Sequence, residues 1–190
     1  MADIFLAYAR EDRAAADFIS EVLRGYGYQV WRHDEQIGPD EDFESAIETS
    51  LSRTPCVLVL FSEFALRSEW VLREAEMAAE QEKFVPVQLD RLDTETMPAS
   101  IIGYQFVDLS RWDGDPAKLV TLLRGIGTLV GRPPRRDETI LKALRSRGGK
   151  WRTGDGDKLV SDASPSPIGD IPSRKKQSQS ADTPKPSKSR

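Results

Sequence analysis

The sequence predicts an α/β protein: a parallel sheet with helices on both faces. Two observations predict it. Through the first ~130 residues, short apolar runs alternate with amphipathic stretches of helical period, the βαβα rhythm of a parallel sheet. One of those runs, Val57 to Phe61, is apolar without a break, as a central strand buried on both faces requires. Right-handed crossovers then leave few arrangements of the strands.

The elements follow in order. Ile4 to Tyr8 reads as a short strand, followed by a polar turn over Ala9 to Asp12. Asp12 to Tyr26 carries Ala15, Phe18, Ile19, Val22 and Leu23 near helical period; Asp12 is placed to cap this helix, and Gly25 and Gly27 supply its stop. Tyr28 to Trp31 is the second strand. A loop with the turn dipeptide Gly38-Pro39 leads to a helix over Asp40 to Ser52, with Phe43, Ile47 and Leu51 four apart on its core face. After the third strand, Ser68 is an N-cap residue opening a helix over Glu69 to Glu82. Phe84 to Leu89 is the fourth strand. Asp90 to Gly103, with Pro98, reads as turns in place of a regular helix, and Tyr104 to Leu109 as a short fifth strand. Pro116 to Leu129 closes the series, its apolar positions being Leu119, Leu122, Leu123 and Ile126.

Composition changes after Gly131. Residues 1–131 carry 12 Lys/Arg against 24 Asp/Glu and residues 132–190 carry 15 against 7, so an acidic domain precedes a basic extension. The expected organisation is a domain over 1–130, a linker over 131–147 and a tail over 148–190. Within the linker, Asp137 to Arg147 can form a short basic helix whose apolar residues, Ile140, Leu141 and Leu144, are too few to hold it alone. The tail is rich in Gly, Ser, Pro, Lys and Asp, buries too little apolar area to offset chain entropy, and is expected to be disordered. It reads as a solvated linker or localisation segment, with nucleic acid not the expected partner.

The single cysteine, Cys56, precedes the third strand and reads as a small buried hydrophobe, so no disulfide can form within the chain. The start lacks a basic and apolar leader, and no run approaches the ~18 apolar residues of a membrane span. A cytoplasmic location is the expectation. His33 is the only histidine, and no thiolate cluster accompanies it, so no metal site is expected. The glycine-rich dinucleotide fingerprint, the phosphate loop and the nucleophile elbow are all missing, which argues against a dehydrogenase, an NTPase and a serine hydrolase.

The stretch richest in chemistry is Ser68-Glu-Trp-Val-Leu-Arg-Glu74. Trp70 and Glu74 are four apart and share a helix face. The helix starts beyond the C-terminal end of a buried strand, where open parallel sheets bind ligands. An aromatic plane beside a carboxylate suits a cationic planar ring and chemistry at the carbon that ring leaves. The same spacing also describes a packed Trp and a solvated Glu. Glu69 and Glu76 point to other faces and read as solvated.

Three ordered motifs together resemble the TIR domain family, found in bacteria, plants and animals, and the bacterial type in particular. Phe5-Leu-Ala-Tyr8-Ala-Arg10-Glu-Asp12 resembles the family's first box, Asp34 to Asp42 its BB loop, and Trp70 with Glu74 the pair carried by members that cleave NAD. The resemblance covers residues 1 to about 130 and implies a flavodoxin-like five-stranded sheet in the order 2-1-3-4-5. It further implies a hydrolase that breaks the nicotinamide–ribose bond of NAD+, giving nicotinamide and linear or cyclic ADP-ribose. Glu74 would be the catalytic carboxylate. Tyr8, Arg10, Ile37, Ser62 and Trp70 would contact substrate; Ser62 can equally cap the turn after the third strand. NAD+ enters as substrate, with no cofactor. Ala7 or Ala9 stands where the family often has Ser. Other TIR domains are the expected partners, through the Asp34 to Asp42 loop with Ile37 at its tip. The rival reading is an adaptor that signals through TIR–TIR assembly alone. A phosphate-accepting receiver domain needs an Asp at the end of the third strand, where Phe61-Ser62 stands instead.

Overall fold

Strand β1 (Ile4–Ala7) shows how the sheet divides the core. Its side chains alternate, Ile4 and Leu6 entering one apolar cluster and Phe5 and Ala7 another, the period-2 geometry of a strand. The computed structural model of the chain describes residues 2–32, 43–90, 92 and 97–147. The loop with His33, Ile37 and Gly38, the side chain of Phe43, and the tail over 148–190 lie outside the described residues.

The other strands are β2 (Val30–Trp31), β3 (Cys56–Phe61), β4 (Phe84–Gln88) and β5 (Val107–Asp108). They pair in parallel in the order β2-β1-β3-β4-β5, the order that the resemblance implies. β3 is central, set against β1 from Ile4↔Cys56 to Ala7↔Val59 and against β4 from Val57↔Phe84 to Phe61↔Gln88. Every residue of β3 is buried, which is why its run is apolar throughout. The winding reverses between β1 and β3, and the C-terminal ends of those two strands are where open parallel sheets bind ligands.

Helices α1 (Arg13–Gly25), α5 (Val120–Val130) and α6 (Glu138–Arg147) cover one face. Phe18, Ile19, Val22 and Leu23 of α1 meet Leu122, Leu123 and Ile126 of α5 over Leu6, Leu58 and Val87. Helices α2 (Phe43–Arg53), α3 (Glu69–Glu80) and the single turn α4 (Ala99–Ile102) cover the other. There Ile47, Leu51, Val71, Ala75, Ala78 and Ile101 pack on Phe5, Val57, Val59 and Phe61. Cys56 lies buried in the α1-side cluster, where desolvation pushes its thiol up to about 12 and leaves it inert.

Two strands are shorter than their apolar runs. Tyr28 precedes β2 and is buried in the α1-side cluster, its hydroxyl donating to the Arg132 carbonyl at 3.4 Å. β5 holds two residues where six were expected. Leu89 donates its N–H to Phe61, so odd-numbered residues of β4 face β3 and Pro86 faces the β5 side. Proline has no N–H to donate there, and pairing with β5 begins only at Val87↔Val107.

Helix α6 takes its support from α1. Leu141 and Leu144 are buried, and the Asp137 and Arg135 N–H groups donate to the carbonyls of Gly25 and Tyr26, each at 2.8 Å. Gly25 is the last residue of α1, and a Cβ there would stand 2.9 Å from Leu141 Cδ2, so the missing side chain also makes room for α6. The helix ends there, and Gly27 turns the chain away with a left-handed φ of +80°. No helix among the described residues is long and apolar enough to cross a membrane.

Candidate functional site

Ser62 ends β3 and ties it to the turn after β1. Its hydroxyl donates to Asp12 Oδ2 at 2.5 Å and accepts from the N–H groups of Phe64 and Ala65, both at 3.1 Å. The second pair of bonds caps the short turn Ala65–Arg67. The Asp12 side chain makes no capping bond to α1, contrary to the cap expected from the sequence, because Ser62 takes its carboxylate. Burial pushes the Asp12 carboxyl up to about 6; the Ser62 bond holds it down, and Asp90 and Glu11 add to the rise.

Helix α3 begins as its sequence dictates. Ser68 is extended, with φ −90° and ψ 104°, and its Oγ accepts from the Val71 N–H at 3.4 Å. Val71, Glu74, Ala75 and Ala78 then form the i, i+3, i+4, i+7 stripe that faces the sheet. Glu74 is therefore a carboxyl within an apolar stripe, 2% exposed. The half-buried Trp70 donates its indole N–H to Glu74 Oε1 at 3.0 Å. The second oxygen, Oε2, is buried and has no hydrogen-bond partner among the described residues. Burial pushes the Glu74 carboxyl up to about 8, with the Trp70 bond opposing the shift, so the acid is mostly protonated at neutral pH. The Arg73 guanidinium lies 5.7 Å from the Trp70 ring centre and pairs with Glu48 of α2 at 2.7 Å, tying the indole's outer face to a second helix. Glu69 and Glu76 are exposed.

The remaining expected residues fall elsewhere. Tyr8 is buried in the α1-side cluster, on the opposite face of the sheet from the cluster that Trp70 joins. The Arg32 guanidinium, itself buried and ion-paired with Asp17 of α1, lies 5.4 Å from the Tyr8 ring centre. Arg10 is exposed on the turn Arg10–Asp12. Ile37 lies outside the described residues. The fold thus joins Trp70 to Glu74 and Ser62 to Asp12, and sets the Tyr8 side chain apart from Glu74.

Asp12 and Arg32 are polar anchors that sequence reading did not single out for chemistry. For Asp12 a signal existed: in the order 2-1-3, the residues just past β1 and β3 are neighbours. For Arg32 the sequence holds none, since its partner Asp17 is an ordinary polar position of α1. Among the described residues, no three His, Cys, Asp or Glu side chains gather as a metal site.

A buried acid with one oxygen steered and the other uncommitted has a definite chemical capacity. Its desolvation is an energetic cost that the single Trp70 bond offsets only in part. It can accept a hydroxyl, or it can ionise beside an arriving cation.

Among solved structures, the chain is similar to the TIR domain of the Toll-related receptor TRR-2 from the lower metazoan Hydra magnipapillata. Identity is 16%, TM-score 0.58, and the match covers 66% of this chain and 98% of that one. It is also similar to a metazoan TIR-STING receptor from C. gigas in complex with 2′,3′-cGAMP, at 18% identity and TM-score 0.53, over 73% of this chain and 42% of that one. At these identities the likeness speaks for the fold alone. No curated protein matches the chain. The family model of the TIR domain matches residues 4–123, which hold the whole sheet, the Ser62–Asp12 tie and the Trp70–Glu74 pair, and the chain therefore belongs to the TIR domain family.

Proposed function

We propose that this chain is a bacterial-type TIR domain that hydrolyses NAD+ at the nicotinamide–ribose bond. The observation that carries the reading is Glu74: a buried carboxyl held by Trp70 through Oε1, with Oε2 unpartnered among the described residues. A purely structural acid at that position would be better replaced by an apolar residue.

The chemistry follows from charge. The bond from ribose C1′ to the ring nitrogen breaks with its electron pair going to the ring, so cationic nicotinamide leaves neutral and needs no general acid. Positive charge passes to the sugar as oxocarbenium character. Water adds at C1′ and releases a proton, giving ADP-ribose; attack by the adenine instead gives the cyclic product. Glu74 is the group that answers this charge. The cationic ring drives its carboxyl to the ionised form on arrival, and the carboxylate then holds the ribose hydroxyls and stabilises the oxocarbenium. Trp70 fixes the carboxylate and offers a wall to the substrate. Arg10, exposed on the turn after β1, would contact a phosphate of the substrate. Ser62 acts through Asp12, fixing that turn against β3. Tyr8 supports the strand end from the other face.

Self-association belongs to the same proposal. Strand ends alone make a shallow site, and cleavage needs a water-restricted one. A second TIR domain against the Asp34 to Asp42 loop would supply that closure, with Ile37 as the contact. The protein would act in the cytoplasm. The test is nicotinamide release from NAD+ across a dilution series of purified protein, read beside light scattering. Release per molecule that rises with concentration, and a rise that Ile37→Asp suppresses, supports the reading. No release at any concentration leaves the adaptor that works by assembly alone.

A further inference from the structure

A cavity lies on the opposite face of the sheet from Glu74. It has a volume of about 540 Å³, within the range of small-molecule sites, and opens between α5 and the segment that leads to α6. Its surface is mostly apolar, from Val120, Leu123, Pro133 and Pro134. Val120 is 57% exposed, a large aliphatic left in water at the rim. The charged groups in its lining are Arg124 and Arg136, and the lining holds no carboxylate. The Arg124 guanidinium has no partner among the described residues, and Arg136 has only a loose exposed pair with Glu138 at 3.8 Å. Two cations thus flank an apolar floor with no anion set against Arg124.

The walls are built, and part of them is outside the span of the family match. Arg132 pins the outer segment through Asp3 at 2.6 Å, the Gly27 carbonyl at 2.9 Å and the face of the Tyr28 ring at 4.8 Å. Gly127 lets that segment close on α5, since a Cβ there would stand 3.2 Å from the Arg132 carbonyl. Tyr26, on the floor, is held by its hydroxyl bond to the Pro116 carbonyl at 2.9 Å. Pro133, Pro134 and Arg136 lie beyond residue 123, where the family match ends, and the lining shares no residue with the Trp70–Glu74 pair.

We infer that the cavity binds a small organic anion with a flat apolar body, its ring on Leu123 and the prolines and its charged group between Arg124 and Arg136. Apolar burial would hold the body, and charge-assisted bonds from two guanidinium forks would orient the anion.

The probe is 8-anilinonaphthalene-1-sulfonate, titrated into the full chain with fluorescence as the readout. The neutral analogue N-phenyl-1-naphthylamine is the second arm. Both arginines are exposed, so Arg124→Glu and Arg136→Glu are expected to keep the far-UV spectrum and thermal midpoint of the parent. The expected result is one saturable sulfonate site per chain, weakened about tenfold or more by either substitution, the loss of one charge-assisted contact. The neutral analogue should bind more weakly and ignore both substitutions. Sulfonate binding that the double substitution leaves unchanged would overturn the inference. So would the lack of any saturable site on the parent protein.

Discussion

Glu74 sets a testable link between charge and stability. Its folded pKa of about 8 lies above the ordinary value of 4.5. Between those values the unfolded chain has released a proton that the native chain retains, so stability falls as pH rises through the interval. Glu74→Gln removes the titration while keeping an acceptor for the Trp70 indole. Its thermal midpoint should exceed that of the parent at pH 8, and the difference should shrink toward pH 4.5. Equal midpoints at both pH values would mean that Glu74 is solvated. Ser62→Ala makes the opposite change. It removes a donor from Asp12 and an acceptor from two N–H groups, at a cost of about 1–3 kcal/mol. The Asp12 carboxyl should then titrate above its present value of about 6, since the Ser62 bond is what holds it down. Denaturant unfolding and carboxyl NMR titration read the two effects. Glu74 was legible as a helix-face partner of Trp70; its burial was not, since the spacing also fitted a solvated Glu, and it comes from the 71, 74, 75, 78 stripe that the fold sets against the sheet. The Asp12 bond was hidden because its partner is 50 residues away.

At the scale of elements, the sequence could be read where one local cause decides. β3 is continuous because both of its faces are covered, and α3 starts at Ser68 because that hydroxyl caps it. β5 could not be sized, since its extent depends on Pro86 in a different strand. The docking of α6 was equally hidden. Its three apolar residues are too few for an independent helix, and Gly25, read only as a stop, is also a contact point. Leu141→Ala should therefore cost about 2–4 kcal/mol, as a buried leucine does, and Gly27→Ala about 1 kcal/mol for forcing a side chain into left-handed backbone. Urea unfolding reads both, and a loss under 0.5 kcal/mol for Leu141→Ala, roughly the scatter of surface substitutions, would mean that α6 does not rest on α1.

For the whole molecule, two truncations separate the cooperative folding unit from the basic tail. A chain ending at Arg147 keeps Leu141 and Leu144, and it should retain the thermal midpoint of the full chain, because the composition of 148–190 offers little to bury. A chain ending at Gly131 loses both leucines, the Arg132 bonds and the outer wall of the cavity beside α5, and its midpoint should fall. A large fall for the first truncation would show that the basic tail docks on the acidic domain. The family and sheet order could be inferred from three spaced motifs, two of which fall on described residues: the first box runs along β1 into its following turn, and the Trp70–Glu74 pair lies on the helix after β3.

If the buried Glu74 serves NAD+ cleavage, a single comparison will show it. Parent and Glu74→Gln proteins, matched in circular dichroism and at equal high concentration, are incubated with NAD+ and free nicotinamide is measured. The parent should turn over, and the variant should lose about two to three orders of magnitude, the scale of one preorganised electrostatic partner. Equal turnover by the two folded proteins would mean that Glu74 takes no part in the cleavage.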